Sequence, residues 1–552
     1  MLKRLLPIAS VILLFLCPGL SSAKDGYPRN PNVDILHYCF YIVLNDSTNC
    51  IKGSSVITVC LAKKTKILEL DLVGLKANGT GMVVELIEAG THQLTWSHAN
   101  NRIEIEIPDT LKAPETFSLS VNYSGVPADG LIISKNKFGE RTFFGDNWPD
   151  RARNWLPCVD HPSDKATVEF IIAAPEKYKV VSNGYLAGEY PETTATGTRL
   201  RVTHWKEDVP VPTKVMVIGA ADFAWETSGF SKGIPVQSWV YAQNREAGFM
   251  DYKPAPGILT FYQDLVGPYS YEKLANVQSK TRFGGMENSG CIFYSERSVT
   301  GKNQLHNLLA HEIAHQWFGD AVTENDWHHV WISEGFATYL EACYADSMIP
   351  GHKLDATMAD MRKSVIRYFD RTQKPLIDTT IVDNLDLLNT NSYQKGAWVL
   401  HMLRQELGDK VFWAGVRNFY AAYRDKNALS SDLQTVMEKV SGRSLNKFFN
   451  QWLEIPGQPF IEWSWTHNKK KKIIEIDLEQ IQNQHKFIFK LPLEVCRASS
   501  EYDISKHCKS VYYIFQISEK KQRITFPVDF PVSEIRLDPR SQLLFREKMI
   551  IK

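Results

Sequence analysis

Within this 552-residue chain, the residues best spaced for chemistry are His311-Glu312-Ile313-Ala314-His315. At 3.6 residues per turn the two histidines fall on one face of a helix, one above the other, with Glu312 on their flank. Two neutral imidazoles so placed can share one zinc ion, which leaves the carboxylate free to take a proton from water. The plainer alternative is a pair of hydrogen-bonded core histidines. Leu305, Leu309, Ala310, Ile313, Trp317 and Phe318 leave that helix almost no polar face, so it should be buried, and buried ionisable groups require a partner.

A catalytic zinc takes three protein ligands and keeps one position for water. A motif closed by a third histidine would need Gly at position 318 and His at 321, where this chain has Phe318 and Ala321. Glu334, eighteen intervening residues past His315, is the best third ligand, with Ser333 as a possible cap of its helix. Its neighbours Trp331, Phe336 and Tyr339 argue against a merely solvated carboxylate. Asp320, Glu324, His328 and His329 are rivals, better suited to supporting or surface positions. Upstream, Gly284-Gly285-Met286-Glu287-Asn288 places an acid in an extended glycine-rich stretch that can approach a substrate closely, and downstream Tyr393-Gln394-Lys395-Gly396 offers a phenol.

These three motifs, in this order, resemble those of the zinc aminopeptidases that include aminopeptidase N and leukotriene hydrolase, a gluzincin family. The resemblance extends to Leu156-Pro157-Cys158-Val159-Asp160-His161-Pro162. It implies one Zn2+ per chain held by His311, His315 and Glu334, with Glu312 as general base and Tyr393 as donor to a developing oxyanion. Glu287, with Gly284, Gly285, Met286 and Asn288, would receive the free amino terminus of a peptide. Ten residues before Cys158, relatives carry a Gln or Glu that helps hold that amino terminus; here the residue is Trp148, and Asn147 or Asp150 could replace it or could be turn residues. A zinc endopeptidase without amino-terminal preference and a catalytically silent peptide-binding relative stand as alternatives. Epoxide hydrolysis is the weaker option within the family, because the large carboxy-terminal helical domain of many relatives is not expected here.

Several kinds of element must position these groups. From Asp34 to about Trp225 apolar and polar residues alternate, as in Ile103, Ile105 and Ile107 against Arg102, Glu104 and Glu106, which predicts an all-β domain over residues 24–226, saddle-like as the resemblance implies. Helical periodicity from near Pro254 to about Leu453 predicts an α+β catalytic domain over 227–455, thermolysin-like as the resemblance implies. After Pro456-Gly457-Gln458-Pro459 the alternation of Ile461, Trp463 and Trp465 and of Ile474, Ile476 and Leu478 predicts a small β-sandwich over 456–552, with Lys469 to Lys472 at a hairpin turn.

Met1 to Ala23 reads as a secretory signal peptide: Lys3 and Arg4, an apolar run from Leu5 to Leu16, and small residues before the cleavage point. The mature chain is therefore expected to be soluble and secreted or periplasmic, with no membrane insertion. The chain carries 63 basic and 62 acidic residues, and removing the leader takes away one Lys and one Arg, so no nucleic-acid partner is implied. Peptides with a free amino terminus are the expected partners, and oligomeric state stays open. Of the cysteines outside the leader, Cys496 and Cys508 flank a possible hairpin, Cys39 and Cys60 lie on strands that could pair, and Cys158 and Cys291 read as buried thiols.

Overall fold

The computed structural model describes residues 25–108, 114–194, 197–483, 485–498 and 510–550. The signal peptide read at 1–23 and Cys508 lie outside the described residues. The amino-terminal part is β-rich, built on an eight-stranded sheet in which Val33–Val43 pairs antiparallel with Ile51–Leu61 and parallel with Lys165–Pro175. Ile35 is buried, and then Tyr38, Phe40 and Ile42; the change from odd to even positions comes from a bulge between Ile35 and His37, since one extra residue turns every later side chain to the other face. In the strand Arg102–Glu106, Ile103 and Ile105 face the core while Glu104 and Glu106 are exposed, as the alternation predicts.

The register of Val33–Val43 against Ile51–Leu61 also places the cysteines. Cys39 stands opposite Val56 and Cys60 opposite Asp34, so the two strands pair while the two thiols do not meet. Among the described residues Cys39, Cys50, Cys60, Cys158, Cys291 and Cys343 are free thiols.

The middle part combines a five-stranded sheet with helices. The sheet runs in the order Phe223–Ser231, Ile234–Tyr241, Leu274–Ser279, Cys291–Ser295 and Gly285–Met286. Gly285–Met286 is the edge strand, antiparallel to its neighbour, and one helix, Arg245–Tyr252, precedes Pro254. The helices that matter for the site are His306–His315, Trp331–Met348 and Gly396–Leu407; the last is preceded by a π-helical turn, Asn391–Lys395.

The carboxy-terminal strands form a four-stranded and a three-stranded sheet. Lys469 to Lys472 are all exposed in the turn between Phe460–Asn468 and Ile473–Gln480, where four ammonium groups stay solvated. This part is fastened to the helices by the buried His401, whose Nε2 lies 3.0 Å from the Ser541 carbonyl oxygen, and by an Arg362–Asp538 ion pair. Among the described residues no helix is long and apolar enough to cross a membrane.

Candidate active site

His311 and His315 bring their Nε2 atoms to 3.2 Å of each other. Glu334 Oε2 lies 3.3 Å from His315 Nε2 and 3.7 Å from His311 Nε2. Zinc bonds of about 2.1 Å at tetrahedral angles separate two donors by roughly 3.4 Å, so this triangle has the size of one face of a zinc tetrahedron. The outer ring nitrogens are held elsewhere: His311 Nδ1 is 3.2 Å from Glu341 Oε2, and His315 Nδ1 is 3.1 Å from both the Phe318 carbonyl oxygen and Ser333 Oγ. Such contacts fix the rings with Nε2 turned to the shared point. Glu341 escapes a reading of the motif alone, yet it follows Glu334 by two helical turns and so shares its face.

Ser333 is not a cap. The helix Trp331–Met348 continues directly from the 3-10 turn Trp327–His329, which is capped by Asp326 through the His328 amide, and this leaves the Ser333 hydroxyl free for His315. The rival ligands are engaged elsewhere. Asp320 Oδ2 accepts from Gln316 Nε2 at 2.8 Å, Glu324 pairs with Lys214 Nζ at 2.5 Å, His328 faces Asp326, and His329 Nδ1 is 2.8 Å from Ser430 Oγ.

The charges in this cluster fit a cation. Glu334 Oε2 is buried without a hydrogen-bond donor, and so is Glu287 Oε1. Burial would favour neutral imidazoles, but Glu334 and Glu287 outweigh it and hold His315 at about 9, while Glu334 and Glu341 hold His311 well above its ordinary range. Against burial, His315 and His311 in turn hold the Glu334 carboxyl well below its ordinary range. Three donors directed at one point, beside buried carboxylate oxygens that accept no hydrogen bond, are what a divalent zinc ion satisfies.

Around this point lies a cleft of about 290 Å³ lined by Trp148, Phe283, Gly284, Gly285, Met286, Glu287, Leu308, Leu388, Tyr393 and the zinc-motif residues. Asn288 is fully buried and does not line it. Burial pushes the Glu312 carboxyl up to about 7, only partly opposed by the two imidazoles. Gly285 passes so close that a Cβ there would lie 2.2 Å from Glu312 Oε1, so a side chain at this position would displace the carboxylate. The Tyr393 ring lies parallel to that of His311, 6.0 Å away, and burial together with Glu334, Glu287 and Glu312 keeps its hydroxyl protonated.

The Glu287 loop is tied down through its backbone. Gln316, next to His315, donates to the Glu287 carbonyl oxygen at 2.8 Å and accepts from the Gly290 amide at 2.8 Å. Asn183, from the amino-terminal part, donates to the Ser289 carbonyl oxygen at 2.8 Å. Neither possible substitute for the missing Gln or Glu lines the cleft. Asn147 spends its amide on the Thr213 and Met216 carbonyl oxygens and its own oxygen on Trp155 Nε1, while Asp150 is half-buried and pairs with Arg153. Trp148 lines the cleft instead.

Two family comparisons decide the kinship: residues 252–452 match the peptidase family M1 domain and residues 35–215 match the peptidase M1 N-terminal domain. The chain belongs to peptidase family M1. Among curated M1 relatives, aminopeptidase M1-C of Oryza sativa subsp. japonica is 29% identical over 60% of this chain and 38% of its own length. Probable aminopeptidase 1 of Sulfurisphaera tokodaii is 26% identical over 71% of this chain and 50% of its own, and glutamyl aminopeptidase of Bitis rhinoceros 24% over 86% and 50%. This M1 chain thus spans half or less of the length of those relatives. In fold it is similar to the M1 zinc metallopeptidase from Deinococcus radiodurans, with a TM-score of 0.66 and 24% identity over 78% of this chain and 95% of that one. A mutant of that protein has been solved with a Tyr-Ser-Ala substrate bound; it gives a TM-score of 0.66 at 23% identity over 78% of this chain and 96% of that one.

Proposed function

We propose that this M1 peptidase is a zinc-dependent aminopeptidase that hydrolyses the first peptide bond of chains with a free amino terminus. The observation that carries this reading is the buried, unpartnered Glu287 carboxylate oxygen, set in the same small cleft as the zinc donors and the Glu312 base. A fixed carboxylate there pairs with an α-ammonium group by a charge-assisted hydrogen bond, so the bond nearest the amino terminus reaches the reacting groups.

A zinc ion held by His311, His315 and Glu334 supplies a Lewis acid for the attacking water and the scissile carbonyl. Glu312 takes one proton from that water as its oxygen bonds to the carbonyl carbon, and returns the proton to the amide nitrogen as the C–N bond breaks. Tyr393 donates its hydroxyl hydrogen to the carbonyl oxygen as negative charge develops there. Gly285 leaves Glu312 room to reach both positions.

Matched peptides with free and acetylated amino termini, assayed with and without a chelator, test the proposal. Hydrolysis is expected only for free termini and only with metal. Equal rates on acetylated peptides would indicate an endopeptidase, and substrate binding without turnover by the zinc-loaded protein a silent relative.

The division into a β domain at 24–226, a catalytic domain at 227–455 and a β-sandwich at 456–552 belongs to this proposal, as does secretion or periplasmic location, which rests on the leader composition of residues 1–23. Amino-terminal sequencing of exported protein should begin at Lys24; material retained with Met1 intact would remove the location.

A further inference from the structure

We propose that Trp148 sets the substrate class: it closes the pocket for the first side chain with an apolar wall, so that the enzyme takes peptides beginning with an uncharged, apolar residue. This rests on the aminopeptidase reading and deepens it. Once the zinc donors, Glu312, Tyr393 and the Glu287 anchor are assigned, the side chains left to meet a substrate are Trp148, Phe283, Met286, Leu308 and Leu388. Among the described residues no Lys or Arg lines the cleft, and its only carboxylates are Glu287, Glu312 and Glu334. An acidic first residue would bring a further carboxylate into that set with no cation of its own to pair with. A basic first residue would find an acid only by drawing one of the three from its task. An apolar side chain meets five apolar partners and loses no hydrogen bond.

Among these five, Trp148 is held by rings on its side chain and by a buried cation on its backbone. It is 2% exposed and stands edge-on between Trp327, at 5.5 Å and 77°, and Phe283, at 6.2 Å and 83°. Its carbonyl oxygen accepts from Arg151 Nε at 2.8 Å, and Arg151 is itself held by Asp146 at 3.0 Å and Asp129 at 3.2 Å. The Arg151 guanidinium also lies 5.9 Å from the centre of the Phe283 ring, so one buried cation holds the Trp148 backbone and faces the Phe283 ring. A wall held from behind in this way cannot swing aside to admit a larger or charged group, and a pocket of fixed shape discriminates better than one that yields. A single apolar group in a fitted pocket discriminates by roughly 10-fold to 200-fold in kcat/KM.

The test is a panel of otherwise identical free-amine peptides beginning with Ala, Leu, Met, Phe, Glu, Lys or Arg, assayed with zinc-loaded wild type, Trp148→Ala, Trp148→Gln and Trp148→Phe. Wild type should favour the apolar members over Glu, Lys and Arg by at least about 10-fold in kcat/KM. Trp148→Ala and Trp148→Gln should lose that ratio, chiefly through KM for the apolar peptides, at unchanged zinc content; Trp148→Phe should retain it. Zinc content and the melting temperature of each variant separate a loss of selectivity from a loss of fold. A wild type that prefers charged first residues, or a Trp148→Ala or Trp148→Phe variant that slows every peptide by the same factor, would overturn the assignment. Wild type that cleaves none of the panel would instead bring down the aminopeptidase reading, and this proposal with it.

Discussion

Gly396→Ala should separate the two halves of the catalytic apparatus without unfolding the protein. The helices carrying Glu334 and Tyr393 cross at Gly335 and Gly396, and a Cβ on Gly396 would lie 2.9 Å from Gly335 Cα. Carbon atoms rest at about 3.5 to 4.0 Å, so the backbones must part by roughly 0.6 to 1 Å, and neither atom sits on a side chain that can turn away. Overpacking of this kind costs about 1 to 3 kcal/mol, of which the better helix propensity of Ala returns up to about 1 kcal/mol. Stability should therefore fall by about 0 to 3 kcal/mol. Activity should suffer more, because Glu334 adjoins Gly335 and Tyr393 sits in the turn that leads into Gly396. A misplacement of about 1 Å costs up to roughly 100-fold in rate. The assay is kcat at saturating peptide, with bound zinc and melting temperature measured on the same samples. Gly257→Ala is the control, since a Cβ there meets nothing within 4 Å. Wild-type kcat in Gly396→Ala, or a loss of kcat that tracks zinc occupancy alone, would refute the argument that this crossing places Tyr393.

Three further outcomes follow from the same geometry. Tyr393→Phe should lower kcat roughly 100-fold to 1000-fold with zinc content unchanged, and normal turnover would end its oxyanion role. Glu287→Ala should raise KM for free-amine peptides by about 10-fold to 100-fold with zinc content unchanged; an unchanged KM would remove the anchor. Acid should loosen the joint at His401, whose imidazole is 2% exposed and held at about 4 by burial against an ordinary value of 6.5. Above pH 6.5 the ring is neutral in both states and its contribution to stability is whole. Between pH 6.5 and 4 only the unfolded chain binds the proton, so stability falls with pH, by on the order of 3 kcal/mol in total. Melting temperatures of wild type and His401→Gln at pH 7 and pH 4.5 measure this; an identical drop in both would assign the acid sensitivity to other groups.

How much of this was legible in the sequence follows from how local each feature is. Two histidines four apart on one helix are a local pattern, and so is alternation in strands with one wet face, which is why the approach of His311 to His315 and the strand Arg102–Glu106 could be read from the sequence. The strand Leu274–Ser279 is buried along its whole length between parallel neighbours, so it shows no alternation and left no strand signal in the sequence reading. The bulge between Ile35 and His37, which turns the later side chains of that strand to the other face, is announced by no residue type. Gln316 reaches the Glu287 carbonyl oxygen across 29 positions of chain, and Asn183 the Ser289 carbonyl oxygen across 106. These contacts are set by packing, so the sequence names the donors without giving their distances.

Gly319 joins the two levels. It sits just beyond the motif helix with φ of +130°, a conformation that a residue bearing a Cβ rarely adopts, and a Cβ there would lie 2.5 Å from Ser333 Oγ and 3.0 Å from His315 Nδ1. Ser333 can therefore approach His315 only because Gly319 leaves that space open. The resulting contact does two things at once: it orients the His315 ring, and it sets how near the helix carrying Glu334 comes to the helix carrying both histidines. Any side chain at position 319 would act on both, moving Glu334 together with His315. The spacing between His315 and Glu334 in the sequence is therefore necessary for the site, and the glycine within that interval turns spacing into distance.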